Sequence, residues 1–153
     1  MSTAKPSSPT SIDANGANGS VAKPLHVFVQ LRAMHNVPEN WDGYGGAATD
    51  PKAIEAAVAF LHNLAQYDIG CRLLPAAEAA PTRTGGVMLI WENAPHELDV
   101  EFDPVDPPGA LYYHADTRKG EEIALDKGLD AAPRFFELAT LIAPPLNCES
   151  SNR

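Results

Sequence analysis

The stretch Val87-Met88-Leu89-Ile90-Trp91-Glu92-Asn93-Ala94-Pro95-His96-Glu97-Leu98-Asp99-Val100-Glu101-Phe102-Asp103 decides the fold. After the turn signal Asn93-Ala94-Pro95 the residues alternate, Leu98, Val100 and Phe102 to one side and Glu97, Asp99, Glu101 and Asp103 to the other. Successive side chains of a strand point to opposite faces, so this pattern requires one face buried and one wet. Val87 to Trp91, introduced by Thr84-Gly85-Gly86, is an apolar run of strand length on the other side of the turn. Downstream, Asp106-Pro107-Pro108-Gly109 is a turn, residues 110–115 form a strand carrying Tyr112-Tyr113-His114, and Lys119-Gly120 leads to a short edge strand over 121–125. Short strands cut by turn residues make an antiparallel meander of about four strands.

Helices flank it. Asp50 is placed to cap free amides and Pro51 occupies the first helical position, where its missing N–H costs nothing. Ile54, Val58, Leu61 and Leu64, with Ala57 and Ala65, form one apolar stripe, and the spacing predicts a helix over 51–67 with Gly70 as its stop. A second helix is predicted over 131–142, capped by Asp130, packed through Phe135, Phe136, Leu138, Ala139, Leu141 and Ile142, and stopped by Pro144-Pro145. Leu25 to His35 reads as a short helix ended before Pro38, although Val27-Phe28-Val29 also suits a strand. Residues 71–81 read as an Ala/Pro-rich connection. Residues 1–24 contain Ser, Thr, Pro, Asn, Gly and Ala with a lone Ile12, too little apolar surface to offset chain entropy, and read as a disordered tail; residues 146–153 read as a frayed end. The expected architecture is a single α+β domain over 25–145, with the sheet packed against two main helices.

Charge bounds the partners. The 153 residues carry a net −9, and because residues 1–24 hold Lys5 and Lys23 against Asp13, the rest of the chain carries −10. Such a surface repels phosphate backbones, so nucleic acid is not an expected partner, whereas a basic protein is. No apolar run approaches the length of a membrane span, and the N-terminus lacks the apolar core of a secretory signal, so a cytoplasmic location without membrane association is expected. Cys71 and Cys148 lie far apart and outside any CxxC spacing. The five histidines show neither the i, i+4 spacing of a helical zinc pair nor an HxH pair, and no metal or other cofactor is expected. No nucleophile elbow or phosphate loop is present, and the chain carries no catalytic signature.

Two features are candidates for recognition. The loop Asn40-Trp41-Asp42-Gly43-Tyr44-Gly45-Gly46 combines two aromatics with glycines that accept unusual backbone angles. It either plugs the end of the core, the commoner use of an aromatic pair, or presents a binding surface. The second is the acidic face of the 96–102 strand. The candidate partner-binding residues are therefore Trp41, Asp42, Tyr44, Trp91, Glu97, Asp99, Glu101 and Asp103.

The residues Pro38-Glu39-Asn40-Trp41-Asp42-Gly43-Tyr44-Gly45, the Asp50-Pro51 helix start and the segment Pro81 to Trp91 (PTRTGGVMLIW) resemble a group of small uncharacterised bacterial proteins. Those proteins share a WDGYGA-like loop and a PTxxGGVxLxW hairpin, with Ala where this chain has Gly46. The resemblance covers residues 36–103. It implies a fixed spatial relation between loop and hairpin, with Trp41, Tyr44 and Trp91 in one aromatic cluster, and implies no reaction. The expected function is a non-catalytic interaction module of the immunity-protein or antitoxin kind that binds a basic partner through acidic and aromatic surface. The alternative is a small-molecule binding protein or minor enzyme with a pocket between the loop and the sheet, lined by Trp41, Tyr44, Trp91 and Tyr113. A second copy of the chain is also among the partners that an open sheet edge admits.

Overall fold

The computed structural model describes residues 25–104, 110–116, 118, 123–127 and 132–144. The tails at 1–24 and 146–153, the turn at 106–109 and the Asp130 cap lie outside the described residues. Among the described residues four helices, α1 (His26–Met34), α2 (Pro51–Leu64), α3 (Asp68–Leu73) and α4 (Ala132–Ile142), accompany five strands, β1 (Glu78–Pro81), β2 (Val87–Asn93), β3 (His96–Phe102), β4 (Ala110–Asp116) and β5 (Ile123–Lys127). The strands lie in sequence order in one antiparallel sheet, so the class is α+β. No helix among the described residues is long and apolar enough to cross a membrane.

The alternation of the 96–102 segment is realised in the burial. Leu98 and Val100 are fully buried and Phe102 nearly so, while Glu97, Asp99 and Glu101 face outward. The register pairs Leu98 with Trp91, Val100 with Leu89 and Phe102 with Val87, which puts all six apolar residues on one face. Helices α2 and α4 cover that face. From α2, Ala53, Ile54, Ala57, Leu61 and Leu64 are buried; from α4, Phe135, Leu138, Ala139 and Ile142. The rings of Phe60 and Phe102, Phe60 and Phe135, and Trp91 and Phe135 meet edge to face at 5.5, 5.2 and 6.1 Å between centroids, the arrangement that aromatic quadrupoles favour.

Asp50 caps α2 as its position requires, its carboxylate accepting the Lys52 amide at 2.8 Å with Pro51 at the first helical position. The helix ends at Leu64, three residues earlier than the stripe suggests. Gly70 is not its stop but a residue inside α3, where a Cβ would overlap the Leu64 carbonyl, so the glycine lets the two helices abut. The connection 71–81 contains more structure than its composition suggests: the end of α3, a 3-10 turn at Leu74–Ala76 and β1. Ala79 and Ala80 have little intrinsic preference for a strand, and their conformation comes from pairing with Leu89 and Met88 of β2. The outer edge of β1 is closed by α1, because the Gln30 side-chain carbonyl accepts the Ala79 amide at 2.8 Å. The segment at 25–35 resolves as helix rather than strand, burying Val27, Leu31 and Met34.

Candidate functional site

The loop at residues 40–46 is fixed by its own polar groups. Asn40, Gly43 and Gly45 have φ of 59°, 74° and 83°, left-handed values that explain the glycines and the asparagine. One oxygen of Asp42 accepts the amides of Tyr44 and Gly46 at 2.8 and 2.9 Å, and the Asn40 side chain accepts the Gly45 amide at 2.8 Å. The Asn40 amide donates to the Gly46 carbonyl at 2.6 Å, and the Trp41 indole N–H donates to the Ala47 carbonyl at 3.2 Å.

The loop is also fastened to the β1–β2 turn. Arg83 places its Nε 2.8 Å from the second Asp42 oxygen and donates through Nη2 to the Tyr44 carbonyl at 2.6 Å. Backbone bonds from Ala47 to the Arg83 carbonyl (2.9 Å) and from Asp50 to the Gly85 carbonyl (2.8 Å) complete the clasp. The Tyr44 and Gly46 amides, reinforced by Arg83, hold the Asp42 carboxyl below the usual carboxylate range. Asp42 therefore shapes the loop and is engaged within the chain rather than offered to a partner. What the loop displays is aromatic: Tyr44 is 83 % exposed and Trp41 37 %.

Trp91 does not belong to this cluster. It is 1 % exposed, touches Phe135, and donates its indole N–H to the Leu73 carbonyl at 3.0 Å. It lies four residues along β2 from the Val87 end, where the clasped turn begins, or about 13 Å at the rise of a strand. Trp91 is thus a core residue, neither partner-binding nor the wall of a pocket beside the loop. The Tyr113 side chain, the other sheet residue expected in that pocket, lies outside the described residues.

The acidic residues do share a face. Glu97 is exposed and Asp99 and Glu101 are half-buried on β3, followed by Asp103 just past the strand. Across the sheet, Glu97 pairs with Glu92, Asp99 with Ile90 and Glu101 with Met88. Asp99 is the least comfortable of them. Its Oδ1 is buried without a hydrogen-bond partner. Burial, followed by the charge and hydrogen bond of Glu97 and the charge of Glu92, pushes its pKa up to about 6. Next to it lies a shallow hollow of about 200 Å³ between Ala76, Glu78, Ile90 and Glu92, apolar at Ile90 and Ala76 and acidic at Glu78 and Glu92.

A third polar group sits at the other end of β3. Asp116, 3 % exposed, pairs in register with His96 and is held by Arg118 through its backbone amide, Nε and Nη2 at 3.0, 3.3 and 3.1 Å. The Arg118 hydrogen bond leads in lowering the Asp116 pKa to about 2, and the His96 ring lies 3.8 Å from the carboxylate. This group ties the strand ends together. In the register His96 faces Asp116 while His114 pairs with Leu98, and the His114 side chain lies outside the described residues. Among the described residues no three His, Cys, Asp or Glu side chains are grouped to hold a metal ion.

Comparison with protein-family models, with curated proteins and with solved structures finds no match.

Proposed function

We propose that the chain is a non-catalytic interaction module of the immunity-protein or antitoxin kind, which binds a basic protein partner through the outer face of its sheet and the aromatic loop. The observation that carries this reading is Asp99. Its buried oxygen has no donor, and Glu97 and Glu92 raise the cost of ionising it. A carboxylate left in that state is destabilising for the isolated chain and becomes favourable when a cation arrives, the pattern expected where a fold gives up stability for recognition. The neighbouring hollow suits the aliphatic stem of a lysine or arginine against Ile90, with the charge between Glu78 and Glu92. Tyr44, exposed on a backbone that is already fixed, supplies an aromatic anchor that need not be ordered on binding.

The test is capture of partners from bacterial lysate on the immobilised protein, followed by kinetics at low and high salt. Glu97→Lys, on the wet side of β3, leaves Leu98 and its core face untouched and should slow association at least tenfold without lowering the melting temperature, since it also removes a carboxylate that opposes Asp99. Binding that ignores salt and survives replacement of Glu97, Asp99, Glu101 and Asp103 by their amides would refute the acidic interface.

A further inference from the structure

The left-handed turn of the aromatic loop makes a chemical demand on its sequence. At a φ of 74° residue 43 is glycine by necessity, and it follows Asp42, whose carboxylate shapes the loop. The chain is thereby committed to an Asp-Gly pair, the only one in its sequence. In such a pair no side chain on the second residue shields its amide, so the nitrogen can attack the preceding carboxyl carbon and close a five-membered imide. In the native loop every reacting group is engaged elsewhere. The Gly43 amide donates to the Asn40 carbonyl at 3.0 Å. One carboxylate oxygen accepts the Tyr44 and Gly46 amides, and the other lies 2.8 Å from Arg83 Nε. These donors favour the anion, which is the unreactive form because it has no hydroxyl to lose. The Asp42 side chain is 14 % exposed and that of Arg83 is 65 % exposed, so the arginine is the half of the clasp that solvent, salt or a competing acid reaches first.

We propose that Asp42-Gly43 is an isomerisation site that Arg83 keeps closed, and that isoaspartate forms there when the clasp on the β1–β2 turn opens. The step balances within the chain. The bond from Gly43 N to Asp42 Cγ forms, the carboxyl C–OH bond breaks, and the hydroxyl leaves with the amide proton as water. Water then adds at the Asp42 main-chain carbonyl and cleaves its bond to Gly43 N, so mass is unchanged and the chain now runs through the side-chain carbons. The main chain is one carbon longer, and the carboxylate sits directly on Cα. It no longer reaches the Tyr44 and Gly46 amides as before, and the loop loses its single shape.

The test incubates the full chain at physiological temperature and neutral pH in heavy-oxygen water, where the imide route leaves one heavy oxygen in the Asp42 peptide. Isoaspartate is read peptide by peptide, since Asn15-Gly16 and Asn18-Gly19 arrive at the same residue by losing ammonia. Isomerisation at Asp42 should be slower in the native chain than in concentrated urea by about tenfold or more, because it waits on local opening. Arg83→Ala should raise the native rate about threefold or more and leave the rate in urea unchanged. Arg83→Lys keeps a cation but not the fork that also reaches the Tyr44 carbonyl, and should fall between the two. The comparison of the parent chain with itself in urea needs no variant to fold. A native rate equal to that in urea, or folded arginine variants no faster than the parent, would overturn the latch and leave the acidic-face reading, which rests on Asp99, untouched.

Discussion

Asp42 and Asp99 are the same side chain in opposite situations. Around Asp42 the chain assembles two amides and a guanidinium, and the result is a loop with one shape; around Asp99 it assembles two more carboxylates and leaves an oxygen without a donor. The difference separates two uses of a charge. Where donors converge, the carboxylate builds structure. Where they are withheld, it holds affinity in reserve for a cation from outside.

Both tryptophans enter this contrast, and truncating them gives the largest effects. Trp91→Ala should cost about 3–5 kcal/mol in denaturant melts, since it empties the space beside Phe135 and orphans the Leu73 carbonyl. Trp41→Ala, removing a ring already 37 % exposed, should cost about 1 kcal/mol. Equal losses would mean that the loop is part of the core and that the contrast is false.

The pH dependence comes next. A carboxyl whose folded pKa is raised contributes stability that is present below its unfolded value of 3.8 and lost as pH climbs through about 6. Asp42 and Asp116, with lowered values, contribute stability that is present above 3.8 and lost as pH falls further. Stability should therefore peak between about pH 4 and 5, and Asp99→Asn should raise it at pH 7 by about 1 kcal/mol, discounted for the half-exposed position, with little gain at pH 4. Urea melts across this range decide the point, and a variant no more stable than the parent at pH 7 would show that Asp99 finds its donor in solution. The smallest expected change is Tyr44→Ala, within about 0.5 kcal/mol in the same melts but with captured partner reduced at least tenfold.

The sequence made the framework legible wherever the information was local. The alternation of β3 defines its two faces, the Asp50-Pro51 cap starts α2 at the right residue, and Phe135, Leu138, Ala139 and Ile142 appear on the packing face of α4, whereas Leu141, expected there too, is exposed. β1 was not legible, because two alanines become a strand only through β2, and neither was α3, whose Gly70 looks like punctuation until it is placed against Leu64. The acidic strip could be read from period two alone. The hostility of Asp99's surroundings could not, since Glu92 reaches it only through the β2–β3 register. Asp42 looked like a contact residue because its partner Arg83 lies 41 positions away in sequence, and Trp91 looked like part of the aromatic loop because a shared residue type says nothing about which end of a strand it occupies.

The separation of the two indoles has a spectroscopic consequence. Trp41 and Trp91 are the only tryptophans, one partly in water beside Tyr44 and the other sealed under Phe135. Their emission should divide into a red component that a small quencher reaches and a blue one that it does not, so the native chain reports loop engagement and global unfolding at different wavelengths without any label. A partner that docks on the loop should shift the first component and leave the second unchanged.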